Sequence, residues 1–124
     1  MAKTVLLVEQ EDSIALALQF LMEGDGVVIQ RVADNAAARQ ALSETTPDIV
    51  MIDSMMPKAG GFEICQEIRL DPKLAGVKTV MLTEGGALAR RKSYALGADD
   101  VIAKPFARDA VRAAMRRLLE TEAA

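Results

Sequence analysis

The 124-residue chain is predicted to fold as an α/β domain, a doubly wound five-stranded parallel sheet with helices on both faces. Three observations predict this class. Aliphatic runs at residues 4–8 and 49–52 have the character of strands buried on both faces, as parallel sheets require. Between such runs lie segments with apolar residues at helical spacing. Strand and helix alternate five times, which calls for parallel strands joined by right-handed crossovers.

Residues 4–8 give the first strand, which ends in Glu9, Gln10, Glu11 and Asp12. Asp12 or Ser13 is placed to cap a first helix with Ile14, Ala17, Leu18 and Leu21 inward, closed by Gly24 and Gly26. Leu16 and Phe20 lie off that stripe and are expected at the surface. Residues 27–32 form a second strand, diluted by Gln30 and Arg31 as an edge strand would be. Asp34 or Asn35 starts a second helix with Ala38, Ala41 and Leu42 inward, and Pro47 marks its far side. The central strand follows and ends on Asp53. Pro57, Gly60 and Gly61 mark the next loop, which leads to a helix carrying Phe62, Cys65 and Ile68 on one face and ending before Asp71-Pro72.

Residues 77–82 give a fourth strand with Thr83 at its end. Leu88, Ala95 and Leu96 belong to a shorter helix with Gly97 just past it. Residues 100–103 form a short fifth strand, followed by Lys104-Pro105-Phe106. The last helix runs from Phe106 or Ala107 to Glu120 with Val111, Ala114, Met115 and Leu118 inward. Strands one, three and four look fully buried, while two and five look weaker. That suits the order 2-1-3-4-5, the flavodoxin-like arrangement.

Length allows one domain, residues 1–124, and no output domain is expected beyond it. A net charge of −3 gives no reason to expect nucleic acid or an acidic membrane surface, and a cytoplasmic protein is expected. The single Cys65 has no disulfide partner within the chain and is assigned to the core. The chain has no histidine, which excludes Ser-His-Asp and Cys-His catalysis, histidine metal sites and phosphohistidine carriers. Chemistry must run on carboxylates, lysine and hydroxyls.

In an open α/β sheet, ligands collect at the carboxyl ends of the strands. Here those ends deliver Glu9 and Gln10, Asp53, Thr83 and Lys104. Two carboxylates in one place repel unless a cation lies between them, and Mg2+ accepts one or two carboxylates together with phosphate oxygens. With the metal in place, Asp53 is positioned to attack a phosphoryl group and form an aspartyl phosphate. Lys104 and the Thr83 hydroxyl would neutralise and orient the phosphoryl oxygens.

The chain resembles the receiver domain of bacterial two-component response regulators over essentially its whole length. The matching pieces are Leu6-Leu7-Val8-Glu9, Asp53 with Met56-Pro57 and Gly61, Leu82-Thr83, and Gly97-Ala98-Asp99-Asp100 leading to Lys104-Pro105-Phe106. The resemblance implies that Asp53 is the phosphoacceptor, that Thr83 and Lys104 sense the phosphoryl group, and that Glu9 belongs to an acidic Mg2+ pocket. The backbone carbonyl of Met55 falls where the family has a metal ligand. A histidine kinase or a histidine phosphotransfer protein would be the donor. Such a domain is not an enzyme beyond self-catalysed phosphotransfer to Asp53 and its hydrolysis.

Three positions depart from the family. Gln10 stands where a second acid normally coordinates Mg2+, so metal affinity should fall; Glu11 either substitutes or is a surface acid. Glu84 stands where a small residue normally follows the threonine; it either adds a carboxylate, repels phosphate or points into solvent. Val101 replaces the aromatic whose rotamer reports phosphorylation, so the usual threonine–aromatic coupling should be absent. These departures favour an alternative: a pseudoreceiver, a binding module working without phosphorylation. A small enzyme or flavin carrier fits poorly, because no glycine-rich loop follows the first strand and Met55 takes the place of a second acid. Output is expected through the face formed by the fourth helix, fifth strand and fifth helix, made basic by Arg90, Arg91, Lys92, Arg108, Arg112 and Arg116. Leu16 and Phe20 are candidates for kinase docking, and a monomer or weak dimer is expected.

Overall fold

The structure, a computed structural model, describes residues 2–56 and 60–123. Pro57, assigned above to the loop after the central strand, lies outside the described residues. The elements run β1 (Lys3–Val8), α1 (Asp12–Met22), β2 (Val27–Val32), α2 (Asn35–Glu44), β3 (Ile49–Asp53), α3 (Gly60–Leu70), β4 (Lys78–Thr83), α4 (Ala87–Ala95), β5 (Asp100–Ala103) and α5 (Arg108–Ala123). The sheet has the order β2-β1-β3-β4-β5, and every pairing is parallel. The predicted class and strand order are those observed.

Alternation along each strand divides the core in two. Leu6, Val8, Val50, Ile52 and Met81 pack on one face with Ala38, Ala41, Ile64, Cys65 and Ile68 from α2 and α3. Val5, Leu7, Ile49, Met51, Val80 and Leu82 pack on the other with Ala15, Leu18 and Met22 from α1 and Val111, Ala114, Met115 and Leu118 from α5. All five residues of β3 are buried, as its place between β1 and β4 demands.

Several local expectations are corrected. The N-cap of α1 is Glu11, with no side-chain cap bond, rather than Asp12 or Ser13. Asp12 instead pairs with Arg31 at 2.8 Å. The buried stripe of α1 is Ala15, Leu18 and Met22, and Ala17 is exposed. Ala15, Leu18 and Met22 follow the i, i+3, i+7 spacing of one helix face, and Ala17 lies on the other side of the helix. Leu16 and Phe20 are 68% and 74% exposed, as expected. Val77 precedes β4, because its amide is held by the Leu74 carbonyl in a 3-10 turn. In α4 the buried residue is Ser93, while Leu88 and Ala95 are exposed. The Ser93 hydroxyl donates to the Ala89 carbonyl at 2.8 Å, so a polar side chain is satisfied within its own helix. No apolar periodicity marks such a helix.

Candidate functional site

Asp53 is the last residue of β3 and Thr83 the last of β4, while Glu9 and Lys104 directly follow β1 and β5. The parallel register brings all four to one edge of the sheet. Asp53 is 1% exposed and Glu9 is 0% exposed. The Lys104 ammonium lies 2.8 Å from Asp53 Oδ1 and 3.9 Å from Glu9 Oε1. The Met55 amide donates to Asp53 Oδ1 at 2.9 Å. Thr83 Oγ1 accepts from the Gly85 amide at 3.2 Å. The structure therefore gathers Glu9, Asp53, Thr83 and Lys104 as the strand ends predicted.

Backbone contacts hold these groups in place. The Ser54 amide donates to the Leu82 carbonyl at 2.9 Å, and the Lys104 amide to the Thr83 carbonyl at 2.7 Å. The first turn of α3 lies against the end of β3. A Cβ on Gly61 would fall 2.1 Å from the Asp53 carbonyl oxygen and 2.6 Å from Ile52 Cγ2, so only glycine permits that approach. In the sequence Arg31 marks only the dilution of an edge strand. In the structure its Nε donates to the Glu9 carbonyl at 2.9 Å and ties the acidic loop to β2.

Burial pushes the Glu9 carboxyl up to about 7, assisted by the neighbouring Asp53 carboxylate and opposed by the Glu11 amide and Lys104. Asp53 goes the other way. Burial alone would raise it, but the Glu9 carboxyl, the Lys104 ammonium and the Met55 amide together hold it below the usual carboxylate range. Near pH 7 the site thus contains one ionised acid beside a second that shares a proton with solvent. That arrangement favours a nucleophilic Asp53.

Oxygen donors dominate the cleft. Glu9 Oε1 is buried and has no hydrogen-bond partner among the described residues. A buried carboxylate oxygen without a hydrogen bond, beside a second carboxylate, fits a hard cation. Among the described residues, no three acidic, cysteine or histidine side chains form a metal-holding group. The set is two carboxylates with the Met55 carbonyl and the Gln10 amide, which suits Mg2+ retaining several waters. Gln10 now turns its Nε2 donor to the Met55 carbonyl at 3.4 Å, so the amide must turn for its oxygen to face a cation. Glu11 is exposed, and only its backbone amide reaches the site, bonding Glu9 Oε2 at 3.2 Å. Glu84 combines two of its three anticipated placements. Its side chain is 65% exposed, yet its Oε1 comes within 3.8 Å of Lys104 Nζ. Val101 is buried in the core cluster with Met81 and Ala98.

The arginine stripe is corrected. Arg108 and Arg112 line a groove with Phe20, Leu21, Glu23 and Gly24, on the flank of α5 that meets α1. The surface between β5 and α5 is lined by Ala103, Ala107, Ala110, Ala113, Arg90 and Arg117, and Arg117 is ion-paired with Asp100. Among the described residues, no helix is long and apolar enough to cross a membrane.

Residues 5–116 match the family described as the response regulator receiver domain. The chain is 29% identical over 120 residues to the phosphate regulon transcriptional regulatory protein PhoB of Rhizobium meliloti, covering 96% of this chain and 53% of that protein. It is 33% identical over 118 residues to the transcriptional regulatory protein GltR of Pseudomonas aeruginosa, covering 94% of this chain and 49% of that protein. It therefore spans about half the length of the curated relatives it matches. A crystal structure of a candidate response regulator from Chloroflexus aurantiacus superimposes with a TM-score of 0.92 at 27% identity, covering 97% of this chain and 99% of that one.

Proposed function

The chain belongs to the response regulator receiver-domain family, and we propose that it is a phosphoacceptor in which Asp53 takes a phosphoryl group from a phosphohistidine. The donor would be a histidine kinase or a histidine phosphotransfer protein. The observation that carries this reading is the buried Asp53 carboxylate with the Lys104 ammonium 2.8 Å away at the carboxyl edge of the sheet.

In the transfer, an Asp53 carboxylate oxygen forms a bond to phosphorus as the donor's nitrogen–phosphorus bond breaks. The electron pair stays on the imidazole nitrogen, which then takes a proton from water. Lys104 follows the negative charge from the carboxylate to the phosphoryl oxygens, and the Thr83 hydroxyl is free to donate to them. Glu9, Asp53, the Met55 carbonyl and Gln10 would hold Mg2+, which when bound neutralises phosphoryl charge. Hydrolysis of the acyl phosphate by water restores Asp53. Signalling would proceed by protein contact through the α4–β5–α5 surface, with Val101 contributing no aromatic switch.

A second reading is favoured by one observation: Gln10 and Glu84 already satisfy the Met55 carbonyl and Lys104. In that reading the domain is a pseudoreceiver that binds partners without phosphorylation. Titration with trifluoroberyllate and Mg2+, followed by amide NMR, separates the two. A phosphoacceptor shows saturable shifts at Thr83, Gly85 and Lys104 that vanish in Asp53→Ala. A pseudoreceiver shows none in either protein.

A further inference from the structure

We propose that Glu84 is a positioning residue that competes with the incoming phosphoryl group for Lys104 and so limits phosphorylation of Asp53. This inference rests on the phosphoacceptor reading of the site. Its basis is the surroundings of one ammonium. Lys104 faces Asp53 at 2.8 Å, Glu84 at 3.8 Å and Glu9 at 3.9 Å. A single cation thus serves three acidic side chains, one of which arrives from outside the cleft.

The backbone holds Glu84 there. Thr83 pairs with Ala103 in the sheet, and the Lys104 amide donates to the Thr83 carbonyl at 2.7 Å, so residues 84 and 104 leave adjacent strands side by side. Beyond Glu84 the chain turns through Gly85 and Gly86, whose φ values of 101° and 91° favour glycine. The Gly85 amide is fixed on Thr83 Oγ1, the hydroxyl assigned to the phosphoryl group. Glu84 therefore directly follows the hydroxyl assigned to the phosphoryl group and reaches to within 3.8 Å of Lys104, while its side chain is 65% exposed and has solvent to turn into.

A phosphoryl group on Asp53 adds negative charge beside Lys104. Glu84 is repelled by that charge and loses its claim on the cation, so it must leave for Lys104 to close on the phosphoryl oxygens. With Glu84 65% exposed and 3.8 Å from the ammonium, this ion pair is weak, which makes the competition reversible. The position acts as a brake on transfer rather than a block.

Two measurements on the whole chain test this, using Glu84→Gln and Glu84→Ala. With acetyl phosphate and Mg2+, followed by intact mass, both variants should gain the phosphoryl group roughly two- to fivefold faster than wild type. Without metal or phosphodonor, amide exchange at Gly85 should quicken in both, because the segment has lost its tether. Wild type that is phosphorylated at the same rate as both variants overturns the inference and leaves the phosphoacceptor reading intact. Variants that accept phosphate when wild type does not would support the inference and refute the reading for the native chain. If none of the three accepts phosphate, the phosphoacceptor reading fails and the inference falls with it; if the variants are phosphorylated faster but Gly85 exchange is unchanged, the tether to Lys104 is overturned as the cause.

Discussion

The Gln10 side-chain amide donates to the Met55 carbonyl across 3.4 Å, joining the loop after β1 to the loop after β3. Both groups belong to the proposed Mg2+ site, and the bond uses the carbonyl that the metal would need. Restoring a carboxylate with Gln10→Asp removes this contact and adds a negative charge. Mg2+ affinity measured by calorimetry should rise by roughly tenfold, equivalent to about 1.4 kcal/mol. An unchanged affinity would show that Gln10 takes no part in metal binding.

The raised Glu9 sets a pH dependence for the metal-free protein. Between its ordinary value of 4.5 and about 7, the folded protein holds a proton that the unfolded chain has lost. Stability from neutral Glu9 is therefore full below 4.5 and declines as pH rises to about 7, by roughly 3 kcal/mol. The lowered Asp53 acts oppositely, contributing stability above its ordinary 3.8 that is lost as pH falls through its folded value. Chemical denaturation at several pH values should show the decline in wild type, a smaller one with Mg2+, and little in Glu9→Gln.

Lys104→Met should destabilise the metal-free protein by roughly 3 kcal/mol at pH 8, because two buried carboxylates lose their shared cation. The penalty should shrink at pH 5, where Glu9 is protonated. Asp53→Asn in the same background should restore part of the loss. Thermal melts of the single and double variants measure this directly.

Gly61→Ala places a methyl group against the Asp53 carbonyl, 2.1 Å away before any adjustment. Either α3 moves or the end of β3 does. A loss of roughly 1–3 kcal/mol in urea denaturation is expected, with weaker trifluoroberyllate binding because Asp53 is displaced.

What was legible in the sequence follows from how each feature is encoded. The buried strands β1, β3 and β4 announce themselves as aliphatic runs, and β2 matches its expected bounds of Val27–Val32. The inward residues of α5 emerged intact because Val111, Ala114, Met115 and Leu118 repeat at helical spacing. Helix α4 lies ahead of Gly97 as Leu88 and Ala95 place it, but its buried residue, Ser93, carries no apolar signal because its hydroxyl is satisfied by its own helix. The site residues at strand ends were legible from position alone. Their contacts were not: the Arg31 bond to Glu9, the Gln10 bond to Met55 and the Glu84 approach to Lys104 all depend on loop geometry. The arginine stripe on α5 had the right spacing, but spacing does not reveal which flank meets α1.

The most direct test of the phosphoacceptor reading is intact mass after incubation with acetyl phosphate and Mg2+, for wild type and Asp53→Ala. The account predicts one added phosphoryl group on the wild type, none on the variant, and none on either when Mg2+ is chelated. No adduct on the wild type, or an equal adduct on Asp53→Ala, would contradict it.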